Sequence, residues 1–309
     1  MTPISFNNKA LSRTVDSYGY RAYNGPIWLP YDLNYTHRYF TGDNIWYADG
    51  DVYETYFGTT YKLNKSTMTW TQVDVGLSGN EHSGGIFNGK MVWYDGNNVY
   101  ASKFSNHNTH LDIYIFNHTT KKFDSHVSQD YLASTPYIWK SGGNIYWSAN
   151  TGDPTDPAHN LMWNRTTRKW ELKSWTFSEP LQSPYGFMGN SVWTKYNGET
   201  YCTDHDNDGQ LINLFKLNLS TSTWTAVEPD GWVEAGDYYS WTDYDGKKQL
   251  SDGDEQYYMD QSTGKWVNHG DWVVLKHPYG PMVWTDGTSI YHSSYDSYYT
   301  NHTYVLKRQ

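Results

Sequence analysis

The run NIWYADGDVYETYFGTTYKLNKSTMTW, Asn44 to Trp70, ends in a heptad that decides the reading of the whole chain. NKSTMTW has Asn first, Ser-Thr at the third and fourth places and an aromatic last. The same shape returns as NHTTKKF from Asn117, NRTTRKW from Asn164, NLSTSTW from Asn218 and DQSTGKW from Asp260. Asn-x-Thr is also a sugar-acceptor sequon, but five evenly spaced copies ask for a structural cause. Short polar side chains that bond their own backbone build turns, so each copy reads as a hairpin whose aromatic opens a strand.

A second signature lies upstream of each heptad. Trp46 precedes Tyr53, Trp93 precedes Tyr100 and Trp139 precedes Tyr146, with a Gly-containing turn between them. Trp193 pairs in the same way with Tyr201, Trp241 with Leu250, and Trp284 with Tyr291. The first tryptophans lie 47, 46, 54, 48 and 43 residues apart. Periods of this size mark a repeat architecture, and here they match a four-stranded propeller blade. Strand A carries the Trp, and an Asp-Gly, Asn-Gly or Gly-Gly hairpin leads to strand B. Strand C ends at the heptad's Asn or Asp, and the heptad's aromatic opens strand D.

The expected fold is therefore all-β, a single domain over 1–309: a six-bladed propeller of four-stranded antiparallel blades. The blades are expected at 44–75, 89–128, 136–175, 190–228, 237–269 and 281–309, after an N-terminal insertion at 10–43. The last unit stops at Gln309 before any strand D. Residues 1–9, chiefly Pro3 to Lys9 with Phe6, are expected to supply it and close the ring.

Composition narrows the function. The chain has 309 residues with a net charge of −10, and its 23 basic residues are scattered, which argues against a nucleic-acid partner. No apolar run spans a membrane. One cysteine, Cys202, excludes a disulfide framework. The N-terminus lacks an apolar signal core, so synthesis in the cytoplasm without glycosylation is expected.

Blades with a hairpin before an aromatic, closing on the Asn-x-x-Thr-x-x-Trp heptad, resemble kelch-type β-propeller repeats, without the double Gly that ends strand B in many of them. The phrasing of Asn44 to Trp70 is similar, more narrowly, to propeller repeats of phage and prophage structural proteins. The resemblance covers nearly the whole chain beyond about residue 40. It implies a virion-associated protein, in several copies, that recognises host-surface carbohydrate or another virion protein.

Loop lengths point to where recognition sits. The A–B and C–D hairpins, on one rim of the ring, hardly vary. The B–C loops and D–A crossovers, on the other, carry every elaboration, and variable loops on a rigid scaffold are where binding surfaces are usually built. Ten of the 16 tryptophans anchor the repeat. Of the rest, Trp147 and Trp163 fall in strands and are expected in the core. Trp28, Trp175, Trp232 and Trp272, with Tyr185 and Tyr279, fall on the elaborated rim. They read either as plugs of the loop bases or as an aromatic platform for a ligand.

DHDNDG, Asp204 to Gly209, places Asp204, Asp206 and Asp208 on alternate positions before a Gly, as in a calcium loop. A hydrated acidic turn is the competing reading, since the twelfth position is Phe215. No other cofactor is implied. The enzymatic readings are thinner. Six arginines, scattered, make a poor sialidase triad, and a Tyr201–Cys202 copper-radical centre competes with a plain buried thiol. His107 and His110 lack a third metal ligand. Paired carboxylates at the central mouth, among Glu81, Glu179, Glu234 and Asp237, leave a carbohydrate-active enzyme as the alternative. An architectural adaptor is the third.

Overall fold

A computed structural model of the chain describes residues 27–31, 33, 40, 42–77, 91–104, 110–130, 136–149, 160–181, 187, 192–194, 198–205, 211–227, 239–242, 248–251, 256–260, 262, 266–268, 283–295 and 301–307. Strand β1 is Ile27–Tyr31. The first sheet follows, with β2 (Ile45–Ala48), β3 (Asp51–Tyr56), β4 (Thr59–Asn64) and β5 (Thr69–Val73) side by side in that order. The second holds β6 (Val92–Tyr94), β7 (Val99–Phe104), β8 (His110–Asn117) and β9 (Lys122–Asp130). The third holds β10 (Pro136–Ser141), β11 (Asn144–Ala149), β12 (Asn160–Asn164) and β13 (Lys169–Leu172).

In the fourth sheet a short β14 (Thr176–Phe177) lies parallel against the outer strand of β15 (Val192–Thr194), β16 (Thr200–His205), β17 (Leu211–Asn218) and β18 (Thr223–Val227). The fifth holds β19 (Tyr239–Thr242), β20 (Lys248–Ser251), β21 (Gln256–Met259) and β22 (Trp266–Asn268). The last holds β23 (Val283–Thr285), β24 (Ile290–Tyr295) and β25 (Asn301–Lys307), and β1 pairs antiparallel along β25. The segment Pro3 to Lys9, expected beside β25, lies outside the described residues. The strand found there is Ile27–Tyr31, which carries Pro30 on a sheet edge, where a missing N–H is tolerated.

Register explains the repeat. Trp46 sits opposite Tyr53, Trp93 opposite Tyr100, Trp139 opposite Tyr146, Trp193 opposite Tyr201 and Trp284 opposite Tyr291. In four of these pairs the rings stack, with centroids 4.2 Å apart for Trp46–Tyr53 and 4.5 Å for Trp284–Tyr291. The fifth sheet corrects the expectation, because Trp241 faces Gln249 and Leu250 faces Ser240. A shift of one residue turns a strand's side chains to the other face, so the spacing alone chose the wrong neighbour.

Four strand-A tryptophans pack on the strand-D aromatic of the next sheet. The centroids are 5.5 Å apart for Trp46–Phe123, 5.0 Å for Trp93–Trp170 and 6.1 Å for Trp139–Trp224. Trp284 of the last sheet meets Trp70 of the first at 5.8 Å, with Phe40 against both. A four-stranded sheet cannot bury both its faces alone, and stacking supplies the missing cover. The four clusters of buried residues lie in these junctions, and Trp147 and Trp163 are in one of them, buried as expected. The architecture is an all-β propeller of four-stranded antiparallel blades.

Candidate recognition surface

Two rims present themselves, and their chemistry differs. The A–B and C–D hairpins form one. Asp49-Gly50 and Gly142-Gly143 are two-residue turns with positive φ at both positions, which suits the strand twist. In the C–D hairpins the heptad's first side chain accepts bonds from backbone amides ahead of it. Asn64 accepts from Ser66 at 3.0 Å, Asn117 from Thr119 at 2.9 Å, Asn164 from Thr166 at 2.9 Å, Asn218 from Ser220 at 3.1 Å and Asp260 from Ser262 at 2.8 Å. The heptad's fifth residue takes positive φ in Met68, Lys121, Arg168 and Ser222, and the fifth copy has Gly264 in that place.

This hairpin rim spends its polar groups on holding neighbouring sheets together. Asp49 of the first sheet bonds His118 at 2.6 Å and Lys121 of the second. The Lys121 ammonium, with His118 beside it, holds the Asp49 carboxyl below the usual carboxylate range. Arg165 of the third sheet donates through Nε to the Asp95 carbonyl of the second at 3.0 Å, and through Nη2 to the Gly143 carbonyl at 2.6 Å. The Thr285 amide of the last sheet donates to the Tyr47 hydroxyl of the first at 3.0 Å. Acidic A–B turns thus meet basic C–D turns of the next sheet, a pattern that serves assembly.

The B–C loops and D–A crossovers form the other rim, the loop rim, and carry the candidate residues. Trp175 follows β13 and packs against Trp139, Tyr146 and Trp224 in the junction of the third and fourth sheets, with the Lys173 ammonium 5.0 Å from its ring centre. Its ring is a plug of that junction more than an open platform. Trp28 lies in β1 opposite Leu306. Trp70 stands opposite Leu63, Trp170 opposite Trp163 and Trp224 opposite Leu217, so the backbone register gives Trp28 the place of the heptad aromatic absent from the last unit. Trp232, Trp272, Tyr185 and Tyr279 lie outside the described residues.

Asp204, next to last in β16 and at a bulge, is buried and accepts a bond from Asn213 Nδ2 at 3.4 Å. Asp206 and Asp208 are outside the described residues. Among the described residues no three His, Cys, Asp or Glu side chains gather as a metal site would need. Burial, with Asp204 nearby, pushes the Cys202 thiol well up, and the Tyr201 hydroxyl donates to Glu199 at 3.0 Å. That thiol sits in a packed junction as a small apolar filler. Glu179 is exposed on the crossover after β14. Glu81, Glu234, Asp237 and His107 lie outside the described residues, and of His110 only the backbone, in β8, is described.

One residue of the loop rim escaped the sequence reading. Phe57-Gly58 is the B–C turn of the first sheet, with Tyr56 opposite Thr59 and positive φ at both turn residues. Phe-Gly is not among the pairs such turns favour, so YETYFGTTYKLN carries no turn signal there.

No family model matches the chain, and no curated protein matches it in sequence. Solved structures similar in fold include the following two. A luciferin-regenerating enzyme is 12% identical with a TM-score of 0.52, over 92% of this chain and 95% of that one. The extracellular domain of a protein described as a hybrid two component system of B. thetaiotaomicron is 12% identical with a TM-score of 0.50. That match covers 86% of this chain and 32% of the other, so the chain spans about a third of that neighbour. Likeness at this identity carries the β-propeller fold alone. No helix among the described residues is long and apolar enough to cross a membrane.

Proposed function

We propose that the chain is a non-enzymatic recognition module whose ring has six blades and whose loop rim binds host-surface carbohydrate on a phage particle. The observation that carries the reading is the contrast between the two rims. The hairpin rim is regular and bonded to itself, as Asp49 with Lys121 and Asp95 with Arg165 exemplify. Toward the loop rim lie the longest stretches of chain between described strands, from β5 to β6, from β11 to β12 and from β13 to β15, with β14 inside the last. A scaffold locked on one side and elaborated on the other is suited to presenting loops.

The six sheets, with the Trp284–Trp70 contact between last and first, support a count of six blades. The kelch-like and phage-like phrasing of Asn44 to Trp70 supplies the virion setting, where many copies turn weak single contacts into firm attachment. A glycan array paired with a reducing-sugar release assay tests the function. Retention without release is expected. Release would make the chain a carbohydrate-active enzyme, and no response with co-assembly of virion partners would make it an adaptor.

A further inference from the structure

We propose that the junction of the second and third sheets binds a small carboxylate at the hairpin end of its inner strands, through the Lys140 ammonium, the Arg165 guanidinium and the Tyr94 amide. The site lies on the rim opposite the one assigned to recognition and does not depend on that reading.

The strand-A segments are the ones that converge: β10 lies near β15, and Tyr47 of β2 reaches Thr285 of β23. Their free edges carry the amides that strand B does not use. In the second sheet the Asp95 amide bonds back to the Asn98 carbonyl, so alternation along the strand turns the Tyr94 amide away from β7. The Thr285 amide has the same place in the last sheet, since Asp286 bonds back to Ser289, and there the Tyr47 hydroxyl accepts it at 3.0 Å. Tyr47, Tyr94, Lys140 and Thr285 each follow directly on the strand-A tryptophan of their sheet. Ile45 and Ile138, two places before Tyr47 and Lys140, both pack back against the preceding sheet. Side chains two places apart on a strand share a face, so Lys140 stands to the Tyr94 amide as Tyr47 stands to the Thr285 amide.

The chemistry at the two junctions is opposite. A tyrosine hydroxyl can accept from an amide, whereas an ammonium only donates. At the second junction two donors therefore face one space, and Arg165 adds a third. Its Nε and Nη2 donate to the Asp95 and Gly143 carbonyls at 3.0 and 2.6 Å, which holds the guanidinium across two turns and leaves Nη1 without a protein acceptor. Lys62, Lys121, Lys122 and Lys216 each pair with a carboxylate, but Lys140 and Arg165 have no ion pair among the described residues. The Asp95 carboxylate is committed elsewhere. It is buried and accepts from the Asn97 and Asn98 amides at 2.9 Å and from Trp163 Nε1 at 3.5 Å.

The surroundings set the size and charge of the ligand. The Lys140 side chain is exposed, yet the protein around it withholds water from the ammonium and pushes its pKa down, with Arg165 adding to this and Asp95 opposing it. Exposure and desolvation coexist in a recess open to solvent. With Asp95 counted, the three charged groups leave one positive charge, which a single carboxylate balances. A guanidinium also matches the plane of that group.

The test is thermal melting of the full chain, Lys140→Met and Lys140→Arg in sodium chloride, sodium acetate and sodium phosphate at one ionic strength. The parent is expected to melt about 3 °C higher in acetate than in chloride, the shift for a ligand at about tenfold its Kd. Lys140→Met keeps the apolar stem and is expected to melt with the parent in chloride and to lose the acetate rise. Lys140→Arg is expected to keep it. Any general effect of acetate on proteins is common to the three chains and cancels. An equal rise in Lys140→Met, or no rise in the parent, would overturn the site. A rise in phosphate without one in acetate would overturn the carboxylate assignment. A Lys140→Met chain that melts well below the parent in chloride would make Lys140 a structural residue and overturn the proposal too.

Discussion

A tryptophan buried between sheets brings an indole N–H that needs an acceptor away from water. Trp46, Trp139 and Trp284 donate to Thr55, Ser148 and Ser293 at 2.9, 3.0 and 2.9 Å. Those hydroxyls bond onward to Thr60, Asn160 and Thr303 of the next strand. Every unit has Ser or Thr two places after the residue that faces its tryptophan: Thr55, Ser102, Ser148, Thr203, Ser251 and Ser293. The signal was present in the chain, yet among so many Ser and Thr only the bonded geometry isolates it. Thr55→Val keeps shape and removes the acceptor, so a loss of about 1–3 kcal/mol in urea unfolding is expected. The tyrosines opposite the tryptophans make a second prediction. Burial, with Asp51 beside one and Glu199 beside the other, pushes Tyr53 and Tyr201 up to about 12. A folded-state value above the unfolded one near 10 means that stability is whole below pH 10 and drains as pH rises towards 12. At about 1.4 kcal/mol per tenfold change in proton affinity, discounted for solvent screening at these half-buried hydroxyls, each is worth on the order of 1 kcal/mol. Urea midpoints taken from pH 9 to 12 should fall, and less steeply in Tyr53→Phe.

Hairpins were legible because their chemistry is local: Asp-Gly, Gly-Gly and the Asn-led heptads act within seven residues. The sheet edges were not. The Phe123 amide donates to the Val75 carbonyl at 2.8 Å, so the crossover out of the first sheet covers the outer strand of the second. β14 does the same for the fourth sheet, through Thr176 to the Ser222 carbonyl at 3.0 Å. In the third, the Gln129 side chain substitutes for a strand, donating to the Trp170 carbonyl at 2.6 Å and accepting from its amide at 2.9 Å. These partners sit 41 to 48 residues apart, beyond any local pattern. Edge cover of this kind blocks pairing with foreign strands. Gly76 shows how tight it is. Its φ is 80°, and an added Cβ would lie 2.6 Å from the Phe123 carbonyl oxygen. Gly50 has nearly the same φ, 78°, with nothing within 4 Å. Gly50→Ala is expected to cost about 1 kcal/mol from strain alone, and Gly76→Ala about 3 kcal/mol or more. Equal losses in thermal or urea unfolding would mean the crossover yields freely.

At the scale of the molecule, what holds the loop rim in place is the joining of last sheet to first. The blade period was readable from six tryptophans. The strand beside β25 was not, because β1 lacks the heptad's Asn and Thr, and nothing in IWLPY names its partner. Only the register, Trp28 opposite Leu306 as Trp70 is opposite Leu63, reveals that the sixth heptad aromatic arrives from the other end of the chain. Leu33 and Phe40, just after β1, enter the same junction with Trp70 and Trp284. The decisive measurement is thermal melting of the chain lacking residues 1–31, set beside the chain lacking residues 1–9. Removal of 1–31 is predicted to lower the melting temperature by 10 °C or more, at about 2–4 °C per kcal/mol for a chain of this size, while removal of 1–9 leaves β1 in place and melts higher. A chain without residues 1–31 that melts with the parent would contradict the joined ring, and with it the rigid rim on which the proposed recognition rests.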